Sequence, residues 1–227
     1  MQQSLQFYNY LLQFSLFQGL SHAELLQMAG HTKFGFRKVA AGKPVVKEGE
    51  VCQALFFLIS GQLTLVTRSD DHRYSVEEQL SAPWLLQPEV LFGAMPRFSS
   101  TVTAAVESHF ITLSKDEVLR LCDDFLIFQL NLLNLLSTQS QRRGRACWRR
   151  TPTDLRQRIV RFLLDHSVYP AGPKMVHILM EQLAGEVNDS RLDVSRALNA
   201  MQADGLVILH RGRIEVPSLE KLVMSND

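Results

Sequence analysis

The sequence predicts an α+β protein made of an N-terminal antiparallel β jelly roll with flanking helices, a long dimerisation helix and a C-terminal winged helix-turn-helix. Three observations predict this fold class. Short runs with a period of two fill residues 33–113, an apolar helical run covers 125–136, and two amphipathic helices joined by a tight turn cover 180–207. We place the domains at 1–120 (effector domain), 121–150 (long helix and hinge) and 151–227 (winged helix-turn-helix).

The N-terminal segment, residues 4–30, is predicted to be helical because apolar side chains recur along it. Ser21 and Glu24 have the spacing of a capping box. Turn signals at Gly42, Gly49 and Gly61 then separate short strands at intervals of roughly ten residues, which favours a jelly roll over alternating β/α units. The predicted strands are 54–59, 62–66, 74–80, 101–106 and 110–113.

Residues 125–136 are apolar on nearly all sides, whereas a helix that packs on a sheet needs only one apolar stripe. We therefore predict that this helix also packs against a second copy of the chain. Asn131 and Asn134 are the polar positions that could fix the register of the pair. The alternative is a helix buried within a single domain.

The second domain starts after a hinge at 149–154, with a first helix over 154–166. In the following helix-turn-helix, apolar residues form one face of the second helix. Ser190, Arg191, Ser195 and Arg196 lie on its polar side, near its N-terminus. A hairpin over 206–216 carries Arg211 and Arg213 at its tip. These residues predict contact with double-stranded DNA; the alternative is a winged helix that docks a protein partner.

Composition is that of an ordinary soluble globular protein, with 227 residues, 46% hydrophobic and 21% charged. Since the formal net charge is only +1, affinity for nucleic acid requires local clusters of basic residues. One such cluster lies just before the second domain. It is either a solvated helix end or a second DNA contact, and consists of Arg142, Arg143, Arg145, Arg149 and Arg150.

Three separated cysteines, Cys52, Cys122 and Cys147, indicate a reducing compartment without a disulfide framework. No signal peptide or membrane-spanning run is recognised, so we expect a cytoplasmic protein that does not bind membranes. No catalytic, metal-ligating or cofactor-binding constellation stands at a plausible spacing, so we do not expect an enzyme.

The order of the elements resembles that of the Crp/Fnr transcription regulators over nearly the whole chain. The resemblance rests on the turn at 47–50, the strands around Gly61, and the Ser-Arg pairs at 190–191 and 195–196. It implies a homodimer that reads an inverted repeat of double-stranded DNA and contacts RNA polymerase. Arg196 would contact guanine or the backbone, Ser195 a base edge or phosphate, and Arg191 a phosphate.

The chain departs from the family at two places. Leu192 stands where the family has a glutamate that reads bases. In the segment equivalent to the cyclic-nucleotide cassette, 87–100, Pro88 replaces the glycine and Phe98 stands where the arginine is expected. Glu89 and Arg97 are either a shifted remnant of the cassette or exposed loop residues.

We therefore expect an effector other than cyclic AMP, or none. The candidate effector residues are Glu89, Arg97, Ser99 and Ser100. In the long helix, the positions that would reach a purine are near Arg143 and Gly144, not a pair of hydroxyl residues. No cysteine cluster supports the family's iron–sulfur variant, and no convincing axial pair supports a haem variant.

Overall fold

The computed structural model describes residues 2–225, with side chains described for 7–145 and 148–225. The chain forms two compact units. The first contains the chain up to Leu63 together with Leu80–Cys147, and the second contains Thr64–Gln79 together with the chain from Trp148 onward. The helices that precede residue 150 are α1 (Gln2–Leu11), α2 (His22–His31), α3 (Lys115–Asp124) and α4 (Leu126–Cys147). The strands in this part are β1 (Gly35–Val39), β2 (Pro44–Val46), β3 (Ala54–Ser60), β4 (Gln62–Arg68), β5 (Ser75–Ser81), β6 (Trp84–Leu86), β7 (Ser100–Ala104) and β8 (Ser108–Ser114).

The first unit is built on an antiparallel sheet in the order β1-β8-β3-β6, accompanied by the antiparallel pair β2–β7. Its core is aromatic: Phe57 lies 5.5 Å, centroid to centroid, from Phe17, and Phe17 lies 5.5 Å from Phe128 of α4. Gly61 (φ 108°) makes the bend between β3 and β4, where a Cβ atom would lie 2.3 Å from the hydroxyl of Ser108. The antiparallel β domain that the turn spacing predicts is confirmed.

The prediction of one helical segment over 4–30 is wrong, because the segment is interrupted. Gly19 (φ 84°) lies in the break, and α1 is followed by a short 3-10 helix over Ser15–Phe17 before α2 begins. The capping box at Ser21 and Glu24 is confirmed. The strands β1, β2 and β6 were not predicted, because each has only three to five residues and therefore shows little periodicity.

Helix α4 buries one face and exposes a stripe of leucines on the other. Phe128 and Leu132 are buried, whereas the exposed leucines, spaced by four and three residues, are Leu126 (65%), Leu130 (49%) and Leu133 (54%). Asn131 requires a correction. Its side-chain amide donates to the backbone carbonyls of Leu16 (3.2 Å) and Gln18 (2.8 Å), so it fixes α4 to its own chain.

The second unit is a winged helix-turn-helix joined by a hairpin from the first third of the chain. Its own elements are α5 (Leu155–Asp165), β9 (Lys174–His177), α6 (Met180–Glu186), α7 (Arg191–Ala203), β10 (Ile208–His210), β11 (Arg213–Val216) and α8 (Leu219–Met224). The predicted helix pair and the wing hairpin are confirmed. The sheet of the wing, β10-β11-β9, continues through antiparallel pairing of β9 with β5, with Glu78 opposite Lys174.

None of the described helices is long and apolar enough to cross a membrane. Among the residues whose side chains are described, 7–145 and 148–225, no group of three or more histidine, cysteine, aspartate or glutamate residues is arranged to hold a metal ion.

Candidate nucleic-acid interface and effector cavity

Helix α7 is held at its N-terminus by a serine cap. The hydroxyl of Ser190 accepts from the backbone N–H of Asp193 at 3.1 Å, which satisfies one of the free donors of the first turn. Asn188 (φ 51°) makes the turn between α6 and α7 in the left-handed region that asparagine tolerates. Thus the Asn-Asp-Ser segment predicted as turn and cap has both roles.

One face of α7 is buried and the opposite face is exposed. Val194, Leu198 and Met201 are fully buried, at intervals of four and three residues. Leu192, Arg196 and Asn199 have the same intervals and lie on the outward side. The outward face therefore carries one large apolar and two hydrogen-bonding side chains, beside the half-buried Ser195.

The charged side chains of this face bind each other weakly. Arg196, 70% exposed, donates to the carboxylate of Asp193 at 3.2 Å. Exposed ion pairs contribute between zero and about 1 kcal/mol, so Arg196 can exchange this partner for a phosphate or a base at little cost. The Asn199 amide donates to the backbone carbonyl of Ser195 at 2.8 Å.

Two ion pairs fix α7 to α5. Arg158 pairs with Asp189 in the turn before α7, and Arg156 donates to Asp204 at its C-terminus at 2.8 Å. Because both ends are held, the orientation of the outward face is set by α5.

The wing tip exposes its two predicted arginines. Arg211 and Arg213 flank Gly212 (φ 74°), which makes the turn between β10 and β11. All six predicted DNA-binding residues belong to the second unit. Arg143, from the basic cluster upstream of the second domain, belongs instead to the first unit, where it pairs with Glu89.

A buried ion pair joins the β4–β5 hairpin to the winged helix. Glu78 and Lys174 have side chains that are 0% and 1% exposed, with Oε1 and Nζ 3.1 Å apart. The Glu78 carboxylate also accepts from the backbone N–H groups of Val168 (2.8 Å) and Tyr169 (3.0 Å), and Lys174 donates to the Ala171 carbonyl. Each buried charge thus has several partners, which offset the free-energy cost of removing that charge from water.

A tyrosine contributes a second hairpin contact. The hydroxyl of Tyr74 lies 3.0 Å from Nε2 of His166, and its ring packs on Phe162. Burial raises the pKa of the Tyr74 phenol, so it remains neutral. Sequence reasoning missed this docking. One signal was available, because Glu78 occupies the buried phase of a strand between Val76 and Leu80.

The first unit contains a cavity of about 590 Å³ beside α4. Glu89 and Arg143 form an ion pair on its wall at 3.1 Å, and Phe92 and Leu136 supply apolar surface. The second carboxylate oxygen of Glu89 and the amide oxygen of Gln139 are buried, and neither has a hydrogen-bond partner among the described residues. Two residues of the cavity wall therefore carry buried acceptors that have no partner in this part of the structure.

The four predicted effector residues do not converge. Only Glu89 lines the cavity. Arg97 donates to the Gly49 carbonyl at 2.8 Å, Ser99 donates to the Gln87 side chain at 3.0 and 3.1 Å, and Ser100 is buried in β7. Phe98 is a core residue, 3% exposed. Arg143 and Gly144, the α4 positions where a purine would be reached, do line the cavity.

The described cysteines are unsuited to reactivity. Burial raises the pKa of the thiols of Cys52 and Cys122, both of which are free. The side chain of Cys147 lies outside the described residues.

Comparison with known proteins identifies both parts of the chain. Residues 36–125 match the cyclic nucleotide-binding domain, and residues 157–224 match the Crp-like helix-turn-helix domain. The Cyclic AMP receptor protein of Thermus thermophilus is 28% identical over 206 residues, which cover 88% of this chain and 91% of that protein. The cAMP-activated global transcriptional regulator Vfr of Pseudomonas aeruginosa is 26% identical, with coverage of 75% and 84%.

The fold is also found among solved structures. That of the Thermus thermophilus Catabolite Activator Protein superposes with a TM-score of 0.53 at 24% identity, covering 94% of this chain and all of that one. The sensor domain of the transcriptional regulator DNR from Pseudomonas aeruginosa gives 0.52 at 24% identity, covering 63% and 94%.

Proposed function

Because the chain belongs to the Crp/Fnr family of DNA-binding transcription regulators, we propose that it acts as a homodimer on an inverted-repeat operator, with α7 as the recognition helix. The observation that carries this proposal is the outward face of α7, exposed opposite a fully buried one and held at both ends by ion pairs. A helix presented in this way fits the major groove of B-DNA.

Each predicted contact has a chemical role. Arg196 reaches a guanine edge or the backbone, Ser195 contacts a base edge or a phosphate, and Arg191 and Ser190 lie at the helix N-terminus, where the macrodipole favours phosphate. Arg211 and Arg213 of the wing tip add backbone contacts. Phosphate contacts position the domain, and Arg196 supplies part of the sequence preference.

The dimer uses the leucine stripe of α4. Leu126, Leu130 and Leu133 leave large apolar areas in water, and the side chains on the same helix face four and seven residues after Leu133 are polar. A second copy of α4 related by a two-fold axis would cover the stripe with itself. The two recognition helices would then read half-sites about one helical turn apart.

The effector, in this proposal, donates hydrogen bonds and is not cyclic AMP. Glu89 and Gln139 each have an oxygen without a partner among the described residues, and the negative charge of Glu89 offsets the positive charge of Arg143, so a cyclic phosphate would meet little net positive charge. Pro88 lacks the N–H that a phosphate would need. A neutral or cationic molecule with an apolar body against Phe92 and Leu136 fits this wall better.

Selection of binding sites from random duplex DNA tests the recognition helix. We expect an inverted repeat to be enriched, and binding to weaken steeply with salt through counterion release. Replacing Arg196→Ala should weaken binding to the selected site by about 5- to 150-fold per half-site, the equivalent of about 1–3 kcal/mol, and relax the preference at one position.

Arg73→Ala is the matched control, since Arg73 is equally exposed (71%) and also pairs with an exposed aspartate, Asp71. It removes the same charge and should leave the preference unchanged. If no motif is enriched, the winged helix docks a protein partner instead.

A further inference from the structure

We propose that Leu192 reads the methyl group of a thymine in each half-site of the operator. This inference rests on the proposed function and specifies one base, a thymine, in each half-site of the operator. Leu192 is the second residue of α7 and is 60% exposed, at the centre of the outward face. The neighbouring groups on that face are polar, so the leucine is the one apolar contact that this part of the described helix offers DNA.

The Leu192 side chain does not belong to the buried face of α7. The core side of α7 is supplied by Val194, Leu198 and Met201, and Leu192 points to the opposite side. The next residue, Asp193, does not take over this contact with a base. The Asp193 carboxylate is bound to the Ser190 hydroxyl at 2.6 Å and to Arg196 at 3.2 Å, within the helix itself.

The chemistry of the groove limits what a leucine can recognise. It neither donates nor accepts a hydrogen bond, so it cannot identify guanine, adenine or cytosine by their polar groups. The apolar group that base pairs expose in the major groove is the C5-methyl of thymine. Since Leu192 and Arg196 are one helical turn apart, about 6 Å, the thymine should lie about two base-pair steps from the base that Arg196 contacts.

Replacement of thymine by deoxyuridine in the selected operator tests this directly, because it removes only the methyl group. Replacing this thymine in one half-site should weaken binding by the wild-type protein about four-fold, and replacing it in both half-sites about fifteen-fold, as expected for burial of one methyl group in each. Deoxyuridine at other thymines should have no effect of this size.

Three variants separate this contact from other causes. Leu192→Ala should bind the thymine and deoxyuridine operators equally, and Leu192→Glu should change the preferred base at that position to cytosine, whose amino group a carboxylate accepts. Val168→Ala, which truncates another exposed apolar side chain of the same unit (53%), should keep the wild-type discrimination.

The outcomes distinguish this inference from the proposed function. A selected operator whose thymines can all be replaced without loss, or a Leu192→Ala variant that still discriminates, overturns the role of Leu192 and leaves DNA recognition intact. Failure to select any operator overturns the proposed function itself.

Discussion

Two side chains near the N-terminus of α7, Asp193 and Arg196, differ in how they are held. Asp193 stabilises the helix itself, whereas Arg196 is exposed and only weakly paired. The backbone N–H of Asp193 donates to the Ser190 hydroxyl, and that hydroxyl donates to the Asp193 carboxylate, so the two residues stabilise the first turn. Arg196 shares that carboxylate only through an exposed contact. Arg196 can therefore be replaced without changing the buried face of α7.

Cyclic AMP should not bind the first unit. A ligand present at about 100 times its Kd stabilises a protein by about 2.7 kcal/mol, and for a chain of this size that raises Tm by roughly 5–10 °C. We expect about 1 mM cyclic AMP to leave the Tm unchanged in a thermal unfolding experiment, because the negative charge of Glu89 offsets the positive charge of Arg143 and leaves no net positive charge for the phosphate. A rise in Tm that Arg143→Ala abolishes would contradict this expectation.

At the level of elements, the β4–β5 hairpin is part of the winged-helix unit although it lies within the predicted effector domain along the chain. Strand β5 extends the sheet of the wing through four residue pairs, and Glu78 and Lys174 bury opposite charges in that seam. The isolated segment 151–227 would lack this strand and leave Lys174 without its carboxylate.

Breaking the seam should cost far more than breaking an exposed ion pair. Lys174→Met leaves the Glu78 charge buried and unpaired, which should lower the free energy of unfolding by about 3–5 kcal/mol in urea titrations. The double variant Glu78→Gln, Lys174→Met should recover much of this loss, because no buried charge remains.

Lys38→Met provides the control. Its pair with Glu107 has a similar length, 2.9 Å, but both side chains are more than half exposed. The expected loss is below about 1 kcal/mol. Equal losses for Lys38→Met and Lys174→Met would show that the seam does not stabilise the unit.

Local patterns predicted the elements better than the contacts between them. Caps at Ser21 and Ser190 and turns at glycines are encoded within a few residues, and each is found in the structure. The pairing of β5 with β9 joins residues about a hundred positions apart, and no local pattern reports it. Asn131 shows the same limit, because its partners in the 3-10 helix segment are more than a hundred residues away.

The candidate sites followed the same division. The residues of α7 and the wing could be predicted together because they lie in one short segment of chain. The cavity is lined by residues of α4 and of the segment around Glu89, which are far apart in the sequence. Glu89 therefore pairs with Arg143 and not with Arg97, and the sequence did not predict Gln139 as a lining residue. Its buried amide oxygen becomes evident only once the cavity wall is assembled.

In the molecule as a whole, each unit has one exposed surface without a partner among the described residues. The first unit exposes a leucine stripe on α4, which we propose a second copy covers, and the second unit exposes the outward face of α7, which we propose contacts DNA. If both are used at once, two-fold symmetry fixes the distance and the angular phase between half-sites. Spacing is then as important as sequence.

Measuring the affinity of the protein for operators of altered spacing tests whether two copies read the DNA together. Inserting five base pairs between the half-sites turns them by about half a helical turn, so one recognition helix must leave its groove. We predict that affinity falls to that of a single half-site, and that Leu130→Lys, which places a charge in the leucine stripe, makes both operators bind with that same weak affinity. Equal, tight binding to both spacings by the wild-type protein would contradict the two-fold reading of DNA.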